Sequence, residues 1–176
     1  MILLRHGQSQ FNLHFTATRR DPGIPDPHLT DEGAAQAQAA AVALAGMDIR
    51  RIIASPYTRA LQTAAPIAVA LKLPVSITPL VRERYHFSCD IGTPARVLAQ
   101  AWPHHDFGHI DDCWWPNETE TTESTMARAA QFRADMQQDA LWRHTLVVSH
   151  WAFLLTLSGE NLQNGTWTSY DPAHVP

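Results

Sequence analysis

Met1 to Leu4 form a short apolar run that stops abruptly at Arg5-His6-Gly7. A buried strand that delivers polar residues to the C-terminal edge of a sheet has this pattern. Arg51 to Ala54, Val75 to Thr78 and Thr145 to Ser149 are further runs of the same type. The stretches between them read as helices. Asp31 to Ala45 is rich in helix-favouring Ala and Gln, with Thr30 placed to cap it and Gly46 to end it. Ser55-Pro56 predicts a cap with proline at the first helical position, then a helix from Tyr57 to Leu71, bent at Pro66 and broken by Lys72-Leu73-Pro74. Thr93-Pro94 opens a short helix to Trp102. From Glu123 to Leu141, Met126, Ala129, Phe132 and Met136 follow helical spacing. Helices alternating with short apolar strands predict an α/β fold, a three-layer α/β/α sandwich around a mainly parallel sheet covered on both faces.

Two segments fit neither period. Phe15 to Pro27 is dense in turn residues and reads as a surface loop. Trp102 to Glu123 mixes His104, His105, His109, Trp114 and Trp115 with Asp, Thr and Glu. Long irregular segments inside compact domains are often binding loops, so residues 102–123 are expected to form a lid-like, substrate-facing insertion. No repeat or linker divides the chain, and 176 residues suit a single domain spanning 1–176.

Composition narrows the picture further. Hydrophobic residues make up 45% of the chain and charged residues 17%, the balance of a globular domain. The formal net charge of -4 leaves no diffuse basic field of the kind nucleic-acid binding needs. Twelve of the thirteen basic residues are nevertheless Arg, whose planar fork suits phosphate or carboxylate, so a local anion pocket is within reach. Cys89 and Cys113 are too few for a disulfide framework and point to a reducing compartment. No run approaches the length of a membrane span or a secretory leader, so a cytoplasmic protein with no membrane partner is expected.

The chemistry is expected where strands end. Leu4-Arg5-His6 and Val148-Ser149-His150 finish two strands alike, and parallel neighbours would bring both imidazoles to one edge. The Arg51 to Ala54 strand runs into Ser55-Pro56-Tyr57-Thr58-Arg59, which adds a second guanidinium there. Two His and two Arg would then converge.

These residues resemble the histidine phosphatase superfamily, which includes phosphoglycerate mutases and many small phosphatases. The resemblance rests on five blocks in order: Arg5-His6-Gly7-Gln8-Ser9 with Asn12; Leu29-Thr30-x-x-Gly33-x-x-Gln36-Ala37; Ser55-Pro56-x-x-Arg59-Ala60-x-x-Thr63-Ala64; Glu83; and Ser149-His150. It implies a phosphoglycerate mutase-like fold and His6 as the nucleophile that becomes phosphohistidine. It also implies His150 as a further phosphoryl donor, and Ser9 and Asn12 as lesser contacts. The residue types suit that chemistry, because a phosphoryl group carries oxygen charge throughout transfer and is held best by fixed donors, here Arg5 and Arg59. One carboxyl group that alternates protonation states can serve both half-reactions, and Glu83 stands where similar proteins carry it. No metal or cofactor is implied.

Departures from the pattern limit what carries over. Gln8 replaces a frequent Glu, and Trp151 follows His150 where many relatives have Gly, making a bulkier floor to the phosphate site. Glu120 sits in what resembles a Gly-Glu-Ser element with both neighbours changed. Asp90 faces substrate or caps a turn; Trp114 and Trp115 wall the site or anchor the insertion. Arg19, Arg20 and Arg84 are available to a second anionic group. The reading that results is a metal-independent phosphatase acting on a small phosphorylated substrate. The alternatives are a phosphoglycerate mutase, whose bisphosphate-holding insertions find little room here, and a non-catalytic phosphate-binding module. His104, His105, Asp106, His109, Asp111 and Asp112 could suggest a metal site, but their spacing matches no metal motif.

Overall fold

The computed structural model describes residues 1–175. Five strands, β1 (Ile2–Arg5), β2 (Arg51–Ala54), β3 (Val75–Ile77), β4 (Thr145–Ser149) and β5 (Trp167–Ser169), form one sheet in the order β3-β2-β4-β1-β5. All neighbours are parallel except β5, which runs antiparallel to β1. The helices are α1 (Gln10–Thr18), α2 (Asp31–Leu44), α3 (Thr58–Leu71), α4 (Ala95–Ala101), α5 (Thr122–Gln138) and α6 (Trp151–Ser158).

Alternation along the strands builds the two faces. Leu4, Ile52, Ala54, Leu146 and Val148 pack with Ala40, Ala41 and Leu44 of α2 and Leu61, Ala64 and Ile67 of α3. Leu3, Ile53 and Val147 pack on the other side with Ala129, Phe132 and Met136 of α5 and Phe153, Leu154 and Leu157 of α6. The fold is therefore the three-layer α/β/α sandwich the apolar pattern predicts. Among the described residues no helix is long and apolar enough to cross a membrane.

Several expectations need correction. The first helix begins at Gln10, inside a stretch without apolar periodicity, because the Ser9 and Asn12 side chains form a reciprocal capping box. Helix α3 begins at Thr58, not at Pro56; the buried Asp26 carboxylate, from another part of the chain, accepts the Thr58 N–H at 2.9 Å and takes the capping role assigned to Ser55. Gly46 does not end α2, whose last turn closes at Ala45 in right-handed geometry. Helix α5 stops at Gln138, three residues before Leu141. Helix α6 and strand β5 carry no signal used above: α6 is apolar nearly all round, and β5 is a three-residue edge.

The largest correction concerns residues 102–123. Phe107 and Trp114 are buried in the core that holds α2 and α3, with Trp102, Ile110 and Trp115 packed against it. The His109 ring bonds the Ile77 carbonyl at 2.8 Å, at the end of β3. This segment covers the sheet's β3 side; aromatic residues make it an anchor rather than a lid.

A close backbone approach joins α2 to the turn after β1. A Cβ on Gly33 would lie 2.0 Å from the Gln8 carbonyl oxygen, and one on Gly7 would lie 2.4 Å from that of Gly33. Alanine at position 33 would gain up to about 1 kcal/mol of helix propensity. The collision is with backbone and cannot rotate away, so overpacking of about 1–3 kcal/mol prevails. Gly33→Ala is expected to lower the urea midpoint of unfolding, and an unchanged or raised midpoint would show that the two segments separate at little cost.

Candidate active site

The pairing of β1 with β4 sets Arg5 opposite Ser149, and the His6 N–H bonds the Ser149 carbonyl at 3.0 Å. His6 and His150 thus leave adjacent strands at the same edge, with ring centroids 5.0 Å apart. Both are buried, His6 3% exposed and His150 fully enclosed. The His6 Nδ1 lies 2.7 Å from the Gly7 carbonyl, which fixes the proton on Nδ1 and leaves the Nε2 lone pair free. Burial pushes the His6 pKa well below the usual histidine range, and Arg59 and Arg5 push it further. His150 is lowered for the same reasons, burial first and Arg59 next; neither of its ring nitrogens has a partner among the described residues.

Arg59 enters from the first turn of α3. Its guanidinium donates to the Cys89 carbonyl at 2.8 Å and to Asp90 Oδ1 at 3.3 Å, and lies 4.3 Å over the Tyr57 ring. Arg5 donates to the Leu162 carbonyl at 2.9 Å, while its Nε is buried without a partner among the described residues. Two forks are thus held by backbone oxygens with donors to spare.

Glu83 closes the site. Its carboxylate accepts the N–H groups of Ala152 and Phe153, at 3.0 and 3.1 Å, and of Arg84 at 2.9 Å. It therefore caps α6, whose own N-cap residue, His150, makes no side-chain cap bond. Burial raises the Glu83 pKa, and the Asp90 charge adds to this against the backbone donors. The turn carrying Glu83 is fastened by Arg128, which donates to the carbonyls of Leu80 and Arg82 at 3.0 and 2.7 Å and to both oxygens of Glu120. Ser149 adds a bond from its hydroxyl to the Val81 carbonyl at 2.7 Å.

These elements surround a cavity of about 510 Å³ at the C-terminal edge of the strands. Arg5, His6, Ser9, Asn12, Arg59 and Glu83 line it. Trp151, Arg19, Arg84 and Asp90 also border it. His150 lies beside His6 but is enclosed rather than lining.

Four proposed substrate contacts lie elsewhere. Arg20 is exposed and does not border the cavity. Trp114 donates from Nε1 to the Thr93 carbonyl and meets Tyr57 edge-on at 4.6 Å, so it supports the site through Tyr57. Trp115 packs edge-on against Trp114. Glu120 is buried between Arg128 and Arg82 rather than at the cavity; burial works against its charge, but Arg128 holds its pKa low. The 104–112 histidines and aspartates form no group of three metal-ligating side chains among the described residues.

Sequence reasoning missed two features. Arg128 falls on the core stripe of α5 with Thr125, Phe132 and Met136, and a guanidinium at a core position was a readable signal. The loop after α6 left none: Asn164 donates to the His6 carbonyl at 3.1 Å and to Asn12 at 3.2 Å, and Trp151 donates to Asn161 at 2.8 Å.

Fold and site define an α/β protein with a buried imidazole of lowered pKa among fixed guanidinium groups. The profile of the histidine phosphatase superfamily (branch 1) matches residues 1–173, and the chain belongs to that superfamily. It is 36% identical over 107 residues to the glucosyl-3-phosphoglycerate phosphatase of Mycolicibacterium vanbaalenii, covering 56% of this chain and 46% of that protein. It is 40% identical over 91 residues to the 2,3-bisphosphoglycerate-dependent phosphoglycerate mutase of Caulobacter vibrioides, covering 49% and 37%. The match thus spans less than half the length of either curated relative. Among solved structures, a mycobacterial glucosyl-3-phosphoglycerate phosphatase in complex with VO3 superposes with a TM-score of 0.67 at 22% identity, covering 95% of this chain and 88% of that one.

The lowered pKa values make stability depend on pH. Below pH about 6.5 an unfolded histidine takes up a proton that buried His6 and His150 refuse. The unfolded state then binds more protons, so stability present above that pH is lost as pH falls, by about 1.4 kcal/mol per unit for each histidine. Glu83, with its raised pKa, works in the opposite sense from about pH 4.5 upward. Urea unfolding between pH 7 and 5 is expected to show a decline that is shallower in His150→Asn; equal slopes would place His150 in a protonated state.

Proposed function

We propose that this protein hydrolyses a phosphomonoester by way of a phosphohistidine on His6, without a metal ion. The observation that carries this reading is the 2.7 Å contact between His6 Nδ1 and the Gly7 carbonyl, which frees Nε2 beside two guanidinium groups. Nε2 attacks phosphorus, and the P–O ester bond breaks. Glu83, its pKa raised by burial, supplies the proton to the departing alkoxide. Water then attacks the phosphohistidine, Glu83 takes back a proton, and the P–N bond breaks to release inorganic phosphate. Arg5 and Arg59 hold the phosphoryl oxygens through both displacements, with His150 beside them. Transfer to water rather than to a second phosphorylated molecule is supported by the phenyl rings and amides that make up much of the remaining wall, although Arg19 and Arg84 leave two cations there for a second anionic group.

Phosphate release from a panel of small phosphomonoesters in EDTA tests this. The intact protein is expected to be active, His6→Ala inactive, and Glu83→Gln slower by roughly 10²–10⁴-fold. Undiminished release by His6→Ala, or no release from any substrate by the intact protein, would overturn the mechanism.

A further inference from the structure

Three phenylalanines that the reaction does not use border the same cavity as His6 and Glu83. Phe11 and Phe15 stand one turn apart on α1 with rings stacked at 5.2 Å and 14°. Phe87 closes on both, at 5.4 and 5.1 Å, and the His86 ring meets Phe87 edge-on at 4.6 Å. A cluster that served packing alone would be enclosed. Here only Phe11 is buried, and Phe15 and Phe87 keep surface on the cavity wall. The stripe of α1 that carries them turns to the cavity, not to either core.

The chemistry of such a wall is selective. Hydroxyls set against the ring faces would give up water for surfaces that offer no ordinary donor or acceptor, and would have to turn to the amides of Asn161, Gln163 and Asn164 elsewhere on the wall. A saturated group would gain area only. A planar aromatic ring gains area and adds edge-to-face or offset contacts at the centroid distances the three phenyl rings already keep among themselves. We propose that the substrate is a phosphomonoester whose leaving group carries an aromatic ring close to the phosphorylated oxygen, seated on Phe11, Phe15 and Phe87. This deepens the phosphatase reading and rests on it for turnover, but not for binding.

Phosphonates separate the two, because a phosphatase does not cleave their P–C bond. Benzylphosphonate, cyclohexylmethylphosphonate and methylphosphonate are titrated calorimetrically into the intact protein. The aromatic compound is expected to bind about five- to tenfold more tightly than its saturated counterpart. Phe15→Leu and Phe87→Leu, which keep apolar bulk but remove the π face, are expected to erase that ratio and leave methylphosphonate affinity unchanged. Equal affinities for the two ring compounds, or a ratio that survives both substitutions, would overturn the assignment. The ratio in the intact protein decides the matter even where a substitution disturbs folding. Aromatic preference without phosphate release from phenyl phosphate or any other phosphomonoester would uphold the wall and overturn the phosphatase reading instead.

Discussion

The parallel pairing of β1 with β4 is the constraint from which the site follows. One hydrogen bond, from the His6 N–H to the Ser149 carbonyl, continues that ladder past the last paired residues and brings two imidazoles side by side. Everything else at the edge is fastened to those two strand ends. The Ser149 hydroxyl reaches the Val81 carbonyl, and the next residues carry Glu83 back across to the first turn of α6, which starts directly after His150. The carboxyl group assigned to proton transfer is thus also a helix cap, held at one position by three backbone N–H groups. Burial raises its pKa while those donors oppose the rise, so geometry and proton affinity are set by the same contacts.

Several residues of the five sequence blocks never meet the cavity; they hold the turn that aims His6. The Thr63 hydroxyl accepts the Gly7 N–H at 3.1 Å, Gln36 accepts the Gln8 N–H at 2.8 Å, and Thr30 donates to the Gln8 side chain at 2.8 Å. The Gly7–Gly33 approach lets these bonds form. Spacing such as Thr30-x-x-Gly33-x-x-Gln36 therefore describes one face of α2 laid against the turn that carries His6. Buried charge is handled in the same way. Asp90 holds Arg59, and Glu120 holds Arg128, each within a set of backbone partners. Desolvation offsets much of what such pairs contribute to stability, and their evident product here is a fixed position for the groups around the cavity.

The Trp102 to Glu123 segment shows where composition misleads. Its histidines and acids suggest a polar cover, but Phe107, Trp114 and the residues packed with them are what the fold uses, because large rings buried against the α2 and α3 side outweigh exposed polar groups that cost nothing in water. The cavity wall is instead aromatic on α1, a helix made by its capping box rather than by amphipathic spacing.

The sequence by itself determined the sandwich, four of its strands, and the edge at which Arg5, His6, Arg59 and His150 gather. Those features follow from local periodicity and from strand ends, which each segment carries within itself. Glu83 was also readable, by its place in a known pattern. Tertiary structure alone decided that Glu83 caps α6, that Asp26 caps α3, that Asn164 and Leu162 hold the β1 turn, and that Trp114 serves the core. Each of these is a hydrogen bond or contact between residues far apart in the chain. Such partners have no period and no required residue type, so only the folded backbone selects them.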